Sequence, residues 1–99
     1  MEHERRRDTV LVKLEGELDH CSAQAVRREL DGLISDPQVK KLVFDLKNMS
    51  FMDSSGIGVI LGRYRILAMR GGAVAVKNMN PHVQRIFTLS GMGQIIQIL

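Results

Sequence analysis

Strand-like and helix-like periodicity take turns along the whole chain, and that alternation limits the fold more than any other feature. Residues 9–19, "TVLVKLEGELD", open with Val10, Val12 and Leu14 on one face and Leu11 and Lys13 on the other. This is the period-two pattern of a strand, and Gly16 then marks a bend or bulge. Residues 41–46, "KLVFDL", and 73–77, "AVAVK", are short and nearly all apolar, as strands buried on both faces are. Residues 95–99, "IIQIL", make a last strand. Segments of helical spacing separate these runs. The order predicts an α/β domain with a mostly parallel, four- to five-stranded sheet. Right-handed crossovers then place the alternating helices against the sheet.

The helical segments carry their own punctuation. Over 21–35, Val26, Leu30, Leu33 and Ile34 form an apolar stripe, with Arg27, Arg28 and Asp31 on the wet side. Asp19 or Ser22 can cap its start, and Asp36-Pro37 ends it. Residues 47–51 read as a loop. Over 55–69, Ile57, Ile60, Leu61, Tyr64 and Leu67 recur at helical spacing, and Arg63, Arg65 and Arg70 gather toward the C-terminal end, where the dipole favours cations. Gly71-Gly72 stops this helix. Over 80–91, Asn80 is the N-cap, Pro81 takes the first helical position and Gly91 follows the end. No internal repeat or linker interrupts the 99 residues, so they form one domain.

Composition excludes several classes of function. A net charge of +3 is below the bias of most nucleic-acid binders, so no direct nucleic-acid partner is expected. Glu2, Glu4 and Asp8 dilute the Arg5-Arg6-Arg7 run, which reads as a solvated N-terminal arm. Cys21 is the only cysteine, which rules out an internal disulfide and a cysteine metal cluster and fits a reducing compartment. His3, His20 and His82 share no metal-ligand spacing, so no metal site is expected. The N-terminus is charged and lacks an apolar targeting segment. No apolar run approaches the roughly 18 residues needed to cross a bilayer. These features predict a cytoplasmic protein with no membrane partner.

The stretch "FMDSSGIG", residues 51–58, lies where a central strand gives way to a helix, the end of a parallel sheet at which ligands meet α/β folds. Asp53, Ser54 or Ser55 can accept from the first free N–H groups of that helix, so capping alone is one reading. Enzymatic readings match poorly. A P-loop pattern is missing. Gly56 and Gly58 supply two glycines of a dinucleotide turn, but position 61 is leucine. A nucleophile elbow needs glycine two residues before the serine, where Met52 and Asp53 stand. For a serine hydrolase, only His20 and His82 could serve as the base, and no sequence signal orients either. Asp45 as a phosphoacceptor would require a receiver domain with an early acidic pair and a later lysine, and the chain is too short for the five βα units such a domain has. A further option is that Ser54 or Ser55 is a substrate. A phosphate on Ser55 would stand at a helix N-terminus and add roughly −1.5 to −2 charges beside Asp53. A partner surface shaped for the neutral serine would then reject it.

"GELDHCSA" (16–23), "FDLKNMSFMDSSGIGVILGRY" (44–64) and "SGMGQII" (90–96) resemble the anti-sigma factor antagonists of the STAS family, the sulfate transporter and anti-sigma antagonist domain. The resemblance runs from about residue 9 to residue 98 and implies a single-domain STAS-like fold over 1–99. It implies a non-enzymatic switch. The second serine of D-S-S-G, here Ser55, is phosphorylated by a partner that is both anti-sigma factor and serine kinase. The unphosphorylated form binds that partner and releases a sporulation sigma factor, and a serine phosphatase resets the switch. No cofactor is expected, because ATP and Mg²⁺ belong to the kinase. The resemblance places Asp53, Ser54 and Gly56 around the phosphoacceptor and Asp19 on the same docking face. Met52, Ile57 and Gly58 could add apolar contact and close backbone approach. Simpler roles stand beside these: Asp19 as a helix cap, Met52 and Ile57 as core, Gly56 and Gly58 as packing glycines. Family members usually carry another helix after the last strand, and residues 1–99 are expected to lack it, through truncation or through variation within the family. Rival functions are a STAS scaffold in a stress-signalling complex and a small nucleotide-binding protein.

Overall fold

The computed structural model describes residues 1–99. Its sheet contains β1 (Glu2–Arg6), β2 (Thr9–Leu18), β3 (Lys41–Met52), β4 (Ala73–Lys77) and β5 (Gln97–Ile98), and its helices are α1 (Ala23–Leu33), α2 (Ser54–Ala68) and α3 (Pro81–Leu89). The strands lie side by side in chain order. β1 pairs antiparallel with β2, and all other pairs are parallel. Each parallel step moves one strand in the same direction, so right-handed crossovers put all three helices on one face.

That face holds the core. Val10, Val12 and Leu14 of β2, Leu42, Phe44 and Leu46 of β3, and Val74 and Val76 of β4 form one cluster with Leu30, Ile60, Leu67, Val83 and Phe87. The opposite face carries no helix. There Lys13, Asp45 and Lys77 form a row across three strands. The centres of β3 and β4 are nonetheless buried on both faces, as expected, although no helix covers the second face. Val43 and Ala75 are buried on the open face but lie outside the core cluster, as small side chains among longer neighbours.

Three expectations change. The N-terminal arm is an edge strand, β1, whose residues are all exposed. With no buried face it has no apolar alternation, and pairing with β2 alone defines it. The predicted loop over 47–51 continues β3 to Met52, since Glu15–Leu18 pair with Asn48–Met52 across two register slips. Those slips place the buried Met49 and Met52 three residues apart, which hides the strand from a period-two search. The last strand shrinks to two residues because a single 3₁₀ turn, Met92–Gln94, occupies the approach to it.

Arg63 also departs from expectation. It is 6% exposed and buried in α2, not on a solvated cationic end. Its Nε lies 3.2 Å from Asp31 Oδ1 of α1 without hydrogen-bond alignment, and its Nη1 has no partner in the chain. Burial lowers its pKa, while the Asp31 carboxylate opposes that shift. Asp31, assigned to the wet side of α1, thereby joins the two helices.

Candidate functional site

The site forms where β2 and β3 end together. Leu18 pairs with Met52, so the next residues, Asp19 and Asp53, leave the sheet as neighbours. The Asp53 N–H donates to the Leu18 carbonyl at 3.3 Å, which ties the two chain exits to each other. Asp53 is extended and serves as the N-cap of α2. Its Oδ1 accepts from the N–H of Ser55 at 2.8 Å and of Gly56 at 3.2 Å, and its carbonyl accepts from Ile57 N–H at 3.1 Å.

One residue thus takes three of the N–H groups at the start of α2, those of Ser55, Gly56 and Ile57, while that of Ser54 has no partner in the chain. A charge added at Ser55 would stand beside the Asp53 carboxylate, with the N–H groups of Ser55 and Gly56 already taken by that carboxylate. Ser55 is half-buried and Ser54 exposed. The Ser55 hydroxyl makes no hydrogen bond within the chain and is not among the buried unpartnered atoms, so solvent reaches it.

Gly56 explains how the turn sits so low. A Cβ there would lie 2.6 Å from Met52 Cγ and 2.7 Å from the Leu18 carbonyl oxygen. Only glycine lets the helix start press on the strand ends. Gly58, one half-turn on, is exposed, and a Cβ there would meet nothing within 4 Å. Internal packing thus demands the first glycine and has no use for the second.

Asp19 organises the loop on the other side of the site. Its Oδ1 accepts from Ser22 N–H at 3.0 Å, while Ser22 Oγ accepts from Asp19 N–H at 3.0 Å. This reciprocal pair holds the entry to α1. The Ser22 N–H bond, with the Ser22 hydroxyl and Cys21 N–H adding to it, keeps the Asp19 carboxyl below its ordinary pKa against the opposing effect of desolvation. The other oxygen, Oδ2, makes no hydrogen bond in the chain.

The structure thus brings Asp19, Asp53, Ser54, Ser55 and Gly56 together, with Gly58 on the adjoining helix face. It withdraws two residues expected to touch a partner. Met52 is fully buried beneath the turn, and Ile57 is 9% exposed within the core cluster. Both shape the turn from below, because the register slip before Leu18 and Met52 points Met52 inward. Neither candidate histidine bonds a serine: His82 stacks on Phe51 with ring centroids 5.4 Å apart. Asp45 is held by Asn78 Nδ2 at 3.0 Å and Lys47 N–H at 3.1 Å. No helix is long and apolar enough to cross a membrane.

This geometry is found in known proteins. The STAS domain family matches residues 1–99. The chain is 45% identical to the anti-sigma F factor antagonist of Paenibacillus polymyxa over 99% of its own length and 84% of that protein. It superposes on SpoIIAA, an anti-sigma factor antagonist solved in its unphosphorylated form, with a TM-score of 0.86 and 34% identity over 99% of this chain and 86% of that one. It also matches the Bacillus cell fate determinant SpoIIAA in its phosphorylated form, with a TM-score of 0.77 and 33% identity over 99% of this chain and 89% of that one. The chain belongs to the STAS domain family and groups there with the anti-sigma factor antagonists.

Proposed function

We propose that the protein is an anti-sigma factor antagonist whose binding is switched by phosphorylation of Ser55. The unphosphorylated form binds an anti-sigma factor that is also a serine kinase, and so releases a sporulation sigma factor. Transfer of phosphate to Ser55 ends the complex, and a serine phosphatase restores it. The protein is a regulatory binding module on which the chemistry is done, and it needs no cofactor of its own.

One observation carries the reading. The Ser55 hydroxyl is free of internal bonds on a turn that Asp53 and Gly56 hold rigid. A hydroxyl available to solvent on a fixed frame suits a kinase, which works chiefly by positioning its acceptor. The Asp53 cap supplies the off-switch. A phosphate finds the N–H groups of Ser55 and Gly56 occupied and a carboxylate two residues away, so the added charge is poorly compensated when a tight interface desolvates it. That costs several kcal/mol, or orders of magnitude in affinity. The occurrence of SpoIIAA in both unphosphorylated and phosphorylated forms supports the same cycle here.

The test uses radiolabelled ATP, Mg²⁺ and the purified anti-sigma F factor of Paenibacillus polymyxa. The protein should take up label only with that factor present. Ser55→Ala should abolish labelling, Ser54→Ala should leave it, and Ser55→Asp should fold but bind far more weakly. Labelling of Ser55→Ala, or wild-type affinity in Ser55→Asp, refutes the switch.

A further inference from the structure

Phe51 is the large aromatic that the core does not claim. It is 38% exposed and lies outside the hydrophobic cluster. Its ring stacks on that of His82, with planes 22° apart. His82 is itself exposed in the first turn of α3. A latch beneath the rings sets this stack. Asn80 Oδ1 accepts from Val83 N–H at 2.8 Å to cap α3, while its Nδ2 donates to the Met49 carbonyl at 2.7 Å. Met49 and Asn80 each precede one ring by two residues, so the bond that fixes α3 to β3 also places imidazole over phenyl.

Phe51 lies on the strand that runs directly into Asp53 and Ser55. The other exposed apolar side chains lie on other elements: Met69 and Leu89 follow or end α2 and α3, and Ile95, Ile98 and Leu99 belong to the segment around the edge strand β5. The acceptor turn itself presents polar groups and a bare glycine, because Met52 and Ile57 are withdrawn. A docking face made of these alone would have little apolar area at its centre.

We propose that the stacked Phe51–His82 pair is the apolar anchor of the docking face, on which the anti-sigma factor kinase seats when it reaches Ser55. This inference rests on the reading of Ser55 given above. Rigid aromatic side chains dominate interface energetics because they bury large area at small entropic cost. Here the latch and the stacking have already restricted both rings. The complementary surface is a flat apolar or guanidinium group laid against the ring faces, contiguous with the pocket that receives the serine.

The experiment measures binding to the anti-sigma F factor of Paenibacillus polymyxa with Mg²⁺ and ADP, and initial rates of phosphorylation with ATP. Phe51→Ala should weaken binding by about tenfold or more, and raise KM with little change in kcat. His82→Ala should weaken it by about threefold, and His82→Phe should restore it. Circular dichroism and melting of each variant establish that α3 remains formed. Phe51→Leu keeps apolar bulk without the planar ring and serves if the alanine variant unfolds; it too should bind less tightly. Affinity within twofold of wild type for folded Phe51→Ala or Phe51→Leu overturns the proposal. So does a loss that merely tracks melting of α3. Ser55→Ala, run in parallel, separates the two claims. Its continued labelling refutes the phosphoacceptor reading, while the ring variants still judge the anchor through binding alone.

Discussion

The two ends of the sheet spend their polar groups differently. Where the parallel strands begin, the groups satisfy each other. Arg5 Nη1 reaches Asp36 Oδ2 at 2.8 Å, Arg70 Nη1 donates to the Asp36 and Val39 carbonyls at 3.3 Å, and Lys40 Nζ donates to the Arg70 carbonyl at 3.1 Å. Gly72 packs so tightly that a Cβ would collide with the Lys40 carbonyl oxygen. Where the strands end, the same residue types leave capacity over. Asp19 and Asp53 each commit one oxygen to the loop they hold, the Ser55 hydroxyl is unbonded and Gly58 is bare. A pole that only has to hold together closes on itself. The other is held by its own caps and leaves several polar groups unbonded within the chain.

Substitutions sharpen that contrast, and the largest effect is at the closed pole. Gly72→Ala should cost about 3 kcal/mol or more in denaturant unfolding, because backbone on both sides must move. Gly56→Ala should cost about 2–3 kcal/mol by overpacking Leu18 and Met52, and should also abolish partner binding by lifting the helix start. Asp53→Ala removes the N-cap and should cost about 1 kcal/mol. Gly58→Ala should have the opposite sign: about 0.5–1 kcal/mol more stable through helix propensity, yet weaker in binding. A destabilised Gly58→Ala, or a tolerant Gly56→Ala, would break the distinction between the two glycines.

The smallest effect is a pH dependence shared by both poles. The Asp36 carboxyl is held below its ordinary value near 3.8 by the Gln38 N–H first and by Arg5 next, as Asp19 is by Ser22. A depressed folded pKa means that the charged carboxylate stabilises the fold above about pH 3.8. That contribution is lost as pH falls through the lower folded value. Melting temperatures measured from pH 6 down to pH 2.5 should drop at the acid end. Asp36→Asn and Asp19→Asn should each flatten that drop, and an unchanged acid limb in both would exclude these linkages.

Much of this was legible in the chain. The alternation of strand and helix patterns, the caps at Asp53 and Asn80 and the stop at Gly71-Gly72 all act within one turn or one strand, so neighbouring residues suffice to reveal them. "DSSG" likewise marked the turn from a central strand into α2. Other features depend on contacts between residues far apart in sequence. β1 exists only because β2 pairs with it, and β3 runs on through residues 47–52 only because β2 slips register to follow. Arg63 reads as a surface cation until α1 brings Asp31 against it.

At the site, the sequence determined the residue types: serine hydroxyls, a capping carboxylate and glycines at a strand-to-helix turn. Tertiary structure alone decided their roles. It turned Met52 and Ile57 inward, made Gly56 a packing necessity and Gly58 free, and set His82 against Phe51. The physical reason is that capping and periodicity are local energies, whereas burial and close approach are settled only when separate segments compete for the same space.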